Sequence, residues 1–437
     1  MNIVYIHTHD TGRYIEPYGH KVPTPRLQAF AEEGILFRHA YNAGPTCSPS
    51  RSALLTGMAP HSSGMLGLAH RGFELSDPNR HLASFLKNHG FETALCGVQH
   101  EARQPEQLGY ERILTTPGGS SKREGQWDME NAHKVAEYLK TRKPETPFFL
   151  SYGMFSTHRE FSEIDGAINP NYVLPPFPLT DTKQNREDMA AFISSAMTVD
   201  RCVGIVLDAL REAGLERDTL IIFTTDHGIA FPRMKCNLYD TGIGVSLILK
   251  VPGITNEGGR AIDALVSQLD LFPTICDMLS VKKPSWLQGH SLLPLLKGES
   301  ESIRDEIFSE VTYHAAYEPM RCIRTNRFKY IKLFDDHNRH VPANIDDGPG
   351  KTFMLDNGML KEKKEHEMLF DLNLDPVERV NLIGNAEYGS VYRDLSERLR
   401  TWMERTDDPL LLGKVPAPAG ARVNLLSSIS PRQHEYE

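Results

Sequence analysis

The chain lacks most of the features that would place it at a glance. Its six cysteines, Cys47, Cys96, Cys202, Cys236, Cys276 and Cys322, are scattered through 437 residues with no Cys-x-x-Cys pair. That spacing speaks against a disulfide framework or a zinc knuckle. Long basic blocks are missing and the net charge is −9, so nucleic acid is not expected as the main partner. The N-terminal "MNIVYIHTHD" has no basic stretch leading into a long apolar run, and no secretory signal is expected. No window approaches the length of a membrane-spanning helix, so no membrane partner is expected and the simplest compartment is the cytoplasm.

What is present is an ordinary globular composition, 40% hydrophobic and 24% charged, with length for one large α/β domain and a smaller one. "NIVYI" predicts a buried strand that stops at the polar "HTHD". "TPRLQAFAEEG" predicts a helix opened by Thr-Pro and closed by Gly. The alternation continues through "HLASFLKNHG", "FETALCGV", "AHKVAEYLKTR", "PFFLSYGMF", a long helix in "AAFISSAMTVDRCVGIVLDALREAG", and the strands "TLIIFTTDHG" and "VSLILKVPG". It predicts an α/β fold, a large and mostly parallel sheet sandwiched between helices. Past residue 300 the pattern changes, and "MRCIRTNRFKYIKLF" alternates like paired antiparallel strands. The expected division is a main α/β domain over 1–303 and an α+β subdomain over 304–437, with 337–365 a long surface insertion and the tail after 413 irregular.

In such sheets the ligand site lies beyond the carboxyl ends of the strands. Four predicted strand ends, distant in sequence, carry His or Asp: "HTHD", "GVQH", "FSTH" and "TTDHG". One such end would mean little. Four argue for a polyhistidine–carboxylate site, as metal or phospho/sulfo-transfer chemistry needs.

The stretch "AGPTCSPSRSALLTG", residues 43–57, adds Cys47. Read alone, Cys47 is either a thiol whose pKa is lowered by a helix start or a small buried residue. Its polar setting, with Pro49 and Arg51, is not typical core filling. "PTCSPSRSALLTG" resembles the first signature of the type I sulfatases, Cys-x-Pro-Ser/Ala-Arg followed by an apolar pair and Thr-Gly. "TPRLQAFAEEGILFRHAYNA", "TLIIFTTDHG" and "LFDLNLDPVERVNL" are similar to further segments of that family, so the resemblance spans nearly the whole chain. "GMLGLAH", "PRMKCNLY" and "EVTYHAAYEPMRCI" look like its heparan N-sulfatase branch.

The resemblance implies an alkaline-phosphatase-like fold and hydrolysis of sulfate esters or sulfamates, with a small sulfated molecule or sulfated sugar as substrate. It implies that a maturation enzyme oxidises Cys47 to Cα-formylglycine, whose hydrate has one hydroxyl to attack sulfur and a second to release sulfate. It implies a divalent metal at His9, Asp10, Cys47 in its oxidised form, Asp226 and His227. Oxygen-rich sites suit Ca²⁺ first, or Mg²⁺. The imidazole of His9, where the family has an acid, brings Mn²⁺ and Zn²⁺ into range. Arg51 would hold the diol and a sulfo oxygen. His100 would be the base for sulfate release, His158 the leaving-group histidine, and Lys235 a cation on sulfate and leaving oxygen. His61, His70, Tyr313 and His314 are expected in the outer pocket. Where the family reads Gly-Lys-x-His, this chain has Val98 for Lys. Losing one acid at 9 and one base at 98 leaves the local charge nearly unchanged. A formylglycine-dependent phosphodiester or phosphonate monoester hydrolase, and a non-catalytic metal- or glycan-binding homologue, are the alternatives.

Overall fold

Strand β1 (Asn2–Thr8), a run of β-branched and aromatic residues, lies at the centre of an eight-stranded sheet in the computed structural model, which describes residues 1–117, 124–142, 146–255 and 258–436. The other strands are β2 (Ile35–Tyr41), β3 (Glu92–Gly97), β4 (Arg112–Ile113), β5 (Phe148–Gly153), β6 (Thr219–Thr225), β7 (Leu247–Lys250) and β8 (Arg260–Ser267). Their order is β4-β3-β5-β1-β6-β7-β2-β8. Among them β7 alone runs antiparallel to its neighbours, so the sheet is mostly parallel, as the alternation predicts.

Successive side chains of a strand point to opposite faces, and both faces here are covered. Val4 and Ile6 pack with helix α1 (Pro25–Glu33) and with the helices Glu124–Thr141 and Lys183–Glu212. Ile3 and Tyr5 pack with helix α2 (Cys47–Thr56) and with the helices Leu82–Asn88 and Leu271–Met278. The helix Lys183–Glu212 corrects one expectation, because by length and composition it is apolar enough to cross a membrane. Its residues Val199, Val203, Val206 and Leu210 are packed in the layer on the sheet.

The C-terminal part forms a four-stranded antiparallel sheet in the order β12-β11-β10-β9, from β9 (Glu306–Tyr313), β10 (Tyr317–Thr325), β11 (Phe328–Leu333) and β12 (Glu367–Asp371). The helix Gly389–Arg405 lays Leu395, Leu399, Trp402 and Met403 on one face. The other face shares a core with Tyr41 and Leu265 of the large sheet. Residues 337–365 do not form the surface insertion expected of them. Val341 and Ala343 are buried with Ala315 and Ala316, and Asn344 Oδ1 accepts from the N–H groups of those alanines at 3.1 and 2.9 Å. One amide and a short apolar patch anchor the segment, which its mostly polar composition hides.

Candidate active site

The four polar strand ends belong to β3, β5, β1 and β6, which are consecutive in the sheet. Glycine lets them close up. A Cβ on Gly97 would lie 1.9 Å from the carbonyl oxygen of Gly153, and one on Gly153 would lie 2.5 Å from the His7 ring. Asp10 (φ 54°) and His100 (φ 61°) take the left-handed backbone region, which is strained for residues with a Cβ and clusters at functional sites.

Four side-chain atoms converge beyond these ends. His9 Nδ1 is 2.8 Å from Asp10 Oδ1 and 3.2 Å from Asp226 Oδ2. His227 Nε2 is 3.3 and 3.5 Å from the same two oxygens. His227 donates from Nδ1 to the carbonyl of Gly228 at 2.9 Å, so its Nε2 presents a lone pair. That atom is buried and has no hydrogen-bond partner. An orphaned acceptor facing two carboxylates is a fitting place for a cation. The candidate ligand atoms of His9, Asp10, Cys47 and Asp226 all lie within 4.8 Å of one another. Burial alone would raise the pKa of both acids. The cations Lys235 at Asp10 and Arg51 at Asp226 work against it, and both acids are held below the ordinary carboxylate range and stay ionised.

Cys47 is the first residue of α2, and every residue of that helix is buried. Arg51, one turn on, donates to the carbonyl of Thr8 at 2.9 Å and to Asp226 Oδ2 at 3.0 Å, and contacts His7 Nδ1. Burial pushes the Cys47 thiol well above its ordinary pKa, which favours the small buried residue over the helix-start thiol. Lys235 Nζ lies 2.8 Å from Asp10 Oδ2 and 2.9 Å from Asp346 Oδ2.

The sulfatase family pattern matches residues 1–281, and that described as N-sulphoglucosamine sulphohydrolase, C-terminal, matches 227–352. This chain belongs to the sulfatase family. Human N-sulphoglucosamine sulphohydrolase is 31% identical, with 93% of this sulfatase and 89% of the human protein covered. A structure solved with its substrate D-glucosamine-2-N,6-O-disulfate matches at a TM-score of 0.73 and 18% identity, over 93% of this chain and 98% of that one. Agrobacterium radiobacter phosphonate monoester hydrolase matches at 0.69 and 22%, over 93% and 96%. At those identities the two structures speak to the fold alone. The sulfatase is a sulfuric ester hydrolase, of the class that cleaves sulfate esters or sulfamates.

The remaining residues singled out in the sequence divide into two groups. His158 meets the His9 ring edge-on at 4.6 Å between centroids, and His100 Nδ1 lies 2.9 Å from His9 Nε2. The His9–His100 contact creates a conflict. A neutral His9 that offers Nδ1 to a metal must carry its proton on Nε2 and donate it to His100. His100 then carries its own proton on Nε2 and is a donor there. The metal role for His9 and the base role for His100 therefore exclude each other. His314 is buried beside Lys235; burial and then that cation lower its pKa to about 3, and its Nδ1 has no partner. The exposed His70 holds Arg422 through its backbone carbonyl at 2.6 Å.

His61 and Tyr313 are not brought into the pocket. His61 Nδ1 lies 2.5 Å from Glu310 in a buried cluster with Arg321 and Asp408, and its ring packs on Trp402. Tyr313 donates its hydroxyl to Val415 at 2.6 Å and packs between Phe73 and Tyr317. His61 sits in the short helix Pro60–Ser63, packed against Glu310 of β9 and Arg321 of β10, and Tyr313 is the last residue of β9, so both belong to the packing around the C-terminal sheet. Two site residues escape sequence reading. His7 could have been found, since the period of two that turns Ile3 and Tyr5 toward α2 turns His7 there as well. Asp346 gives no such signal, because its segment reads as surface.

Proposed function

We propose that this sulfatase removes the sulfo group of an N- or O-sulfated sugar, with Cys47 oxidised to formylglycine by a maturation enzyme. A divalent cation would be held by His9, Asp10, Asp226, His227 and residue 47. The observation that supports this is the convergence of the Cys47 side chain with His9, Asp10 and Asp226, with Arg51 and Lys235 bonded to the same acids. Asp10, Asp226 and Asp346 against Arg51 and Lys235 leave one net negative charge, which would repel a sulfo anion. A divalent ion reverses that sign, neutralises sulfo oxygens and lowers the pKa of a bound hydroxyl. Two carboxylates with two imidazoles suit Mn²⁺ and Zn²⁺ as well as Ca²⁺ and Mg²⁺.

The chain's own residues supply the rest. Arg51 Nε is buried without a partner, a donor left for a diol or sulfo oxygen. Lys235 neutralises the sulfo group, His158 gives a proton to the leaving atom, and His100 donates from Nε2 to an oxygen of the reacting group. A phosphate monoester dianion asks for more cations than Arg51 and Lys235 provide, whereas a phosphodiester or phosphonate monoester is a monoanion like a sulfate ester, so the substrate panel decides between those and the sulfo reading. Peptide mass spectrometry with a panel of aryl sulfate, N-sulfoglucosamine and phosphodiester tests it. An aldehyde at position 47 and turnover of sulfo substrates are expected. Full activity with an unmodified thiol, or turnover of the phosphodiester alone, sinks it.

A further inference from the structure

Asp346 is an acid of the site that the metal cluster does not use. It reaches the pocket from the segment anchored by Asn344. Its Oδ2 lies 2.9 Å from Lys235 Nζ yet makes no hydrogen bond, while Lys235 donates to Asp10 Oδ2 at 2.8 Å. The Asp346 side chain keeps 14% of its surface exposed, against 4% for Lys235. Burial would raise its pKa, but Lys235 outweighs that and holds it at about 2, with His158 and His314 adding to the effect. An ionised carboxylate therefore stands beside Lys235 in a site meant for an anion, its Oδ2 buried against the ammonium and the exposed part of its side chain left to accept from a donor.

Against a sulfate ester this arrangement is a liability. The bridging oxygen of C–O–S offers only lone pairs, which a carboxylate repels. The bridging nitrogen of a sulfamate, C–NH–S, carries a proton that a carboxylate accepts. The difference grows along the reaction. R–O–SO₃⁻ and water give R–OH, SO₄²⁻ and a free proton. R–NH–SO₃⁻ and water give R–NH₃⁺ and SO₄²⁻: the N–S bond breaks, its electron pair stays on nitrogen, and nitrogen leaves with both protons of the water. Sites built to bond a donor discriminate strongly against analogues that lack it. We propose that Asp346 is a specificity residue that makes a sulfamate the preferred substrate, by accepting from its N–H and then from the ammonium product. The proposal rests on the sulfatase reading above.

The test is the isosteric D346N in metal-loaded, matured enzyme. The ratio kcat/KM for N-sulfoglucosamine should fall roughly 10- to 100-fold, the range of a hydrogen bond to a charged group, while that for an aryl sulfate holds or rises. Equal losses on both substrates would make Asp346 a mere counter-ion of Lys235 and overturn the proposal. Calorimetry on the unreacting pair glucosamine and glucose gives a readout independent of turnover. Wild type should prefer glucosamine and D346N should not. Absence of that preference in wild type overturns the proposal even if the variant does not fold. A preference that depends on Asp346, in a chain that cleaves no sulfo compound, would sink the sulfatase reading and leave the recognition standing.

Discussion

Asp128 tests whether the loop carrying His158 is held from outside the pocket. It is fully buried in the helix Glu124–Thr141 and accepts from the backbone N–H groups of Phe155 and Ser156, each at 2.8 Å. Those residues lead directly to His158. Asp128→Ala would leave two buried N–H groups without an acceptor, at about 1–3 kcal/mol each, so roughly 2–6 kcal/mol of stability should go. The pH dependence has a definite sign. Burial raises the Asp128 pKa from 3.8 to about 6, against the pull of its backbone donors. A folded-state pKa above the unfolded value means that the native state binds the proton more tightly. The associated stability is full below about pH 4 and is lost as pH rises through about 6, a change of about 3 kcal/mol. Asp128→Asn removes the titration, so its stability should differ less than wild type's between about pH 4 and about pH 7. Urea denaturation at both pH values, read with turnover, decides the matter. If Asp128→Ala loses less than about 1 kcal/mol and keeps wild-type kcat, the loop is held by something else.

Cys47→Ala should abolish turnover while unfolding within about 1 kcal/mol of wild type, since a small buried side chain replaces another; substantial remaining activity would refute residue 47 as nucleophile. Asp226→Ala should lose both activity and bound divalent metal by elemental analysis, and full metal content in the variant would show the site misread. Arg321→Met strips a buried cation from Glu310 and Asp408, which lie 3.1 and 2.6 Å from its Nε. A cost of about 3–5 kcal/mol in denaturant unfolding is expected, and one below about 1 kcal/mol would mean that the cluster does not tie the helix Pro60–Ser63 to the C-terminal sheet.

The sequence was most legible where one physical rule acted alone. Period-two strands and the helices between them announce the large sheet, and strand ends in His and Asp announce the edge that carries the candidate site, because a parallel sheet gathers its carboxyl ends by topology. Legibility failed where a residue's role depends on a distant contact. His61 reads as a pocket histidine until Glu310, Asp408 and Arg321 fold around it. Asp346 reads as solvated until Asn344 ties its segment down over Lys235. The sequence left Cys47 open between a helix-start thiol and a small buried residue, because helix-start electrostatics can be read from sequence, whereas burial of all ten residues of α2 cannot.

His9 and His100 carry the same lesson into the mechanism. Assigned from separate strand ends, one reads as a ligand and the other as a base. The structure puts Nε2 of the first 2.9 Å from Nδ1 of the second, so the two rings share one proton position. The cluster decides where that proton belongs. His9 Nδ1 lies nearer to Asp10 Oδ1 and Asp226 Oδ2 than His227 Nε2 does; a cation between those acids would take its lone pair, whereas without one Nδ1 would donate to Asp10. We therefore expect His100 to act as a hydrogen-bond donor from Nε2 and not as a base. His100→Gln keeps an N–H near that position, whereas His100→Ala keeps none. Losing a preorganised donor costs about 10²–10³ in kcat, so the alanine variant should fall by that factor and the glutamine variant by clearly less. Equal losses in the two variants would restore the base. His9 would then donate from Nδ1 to the carboxylates and leave the ligand set, and His9→Ala would retain full metal content.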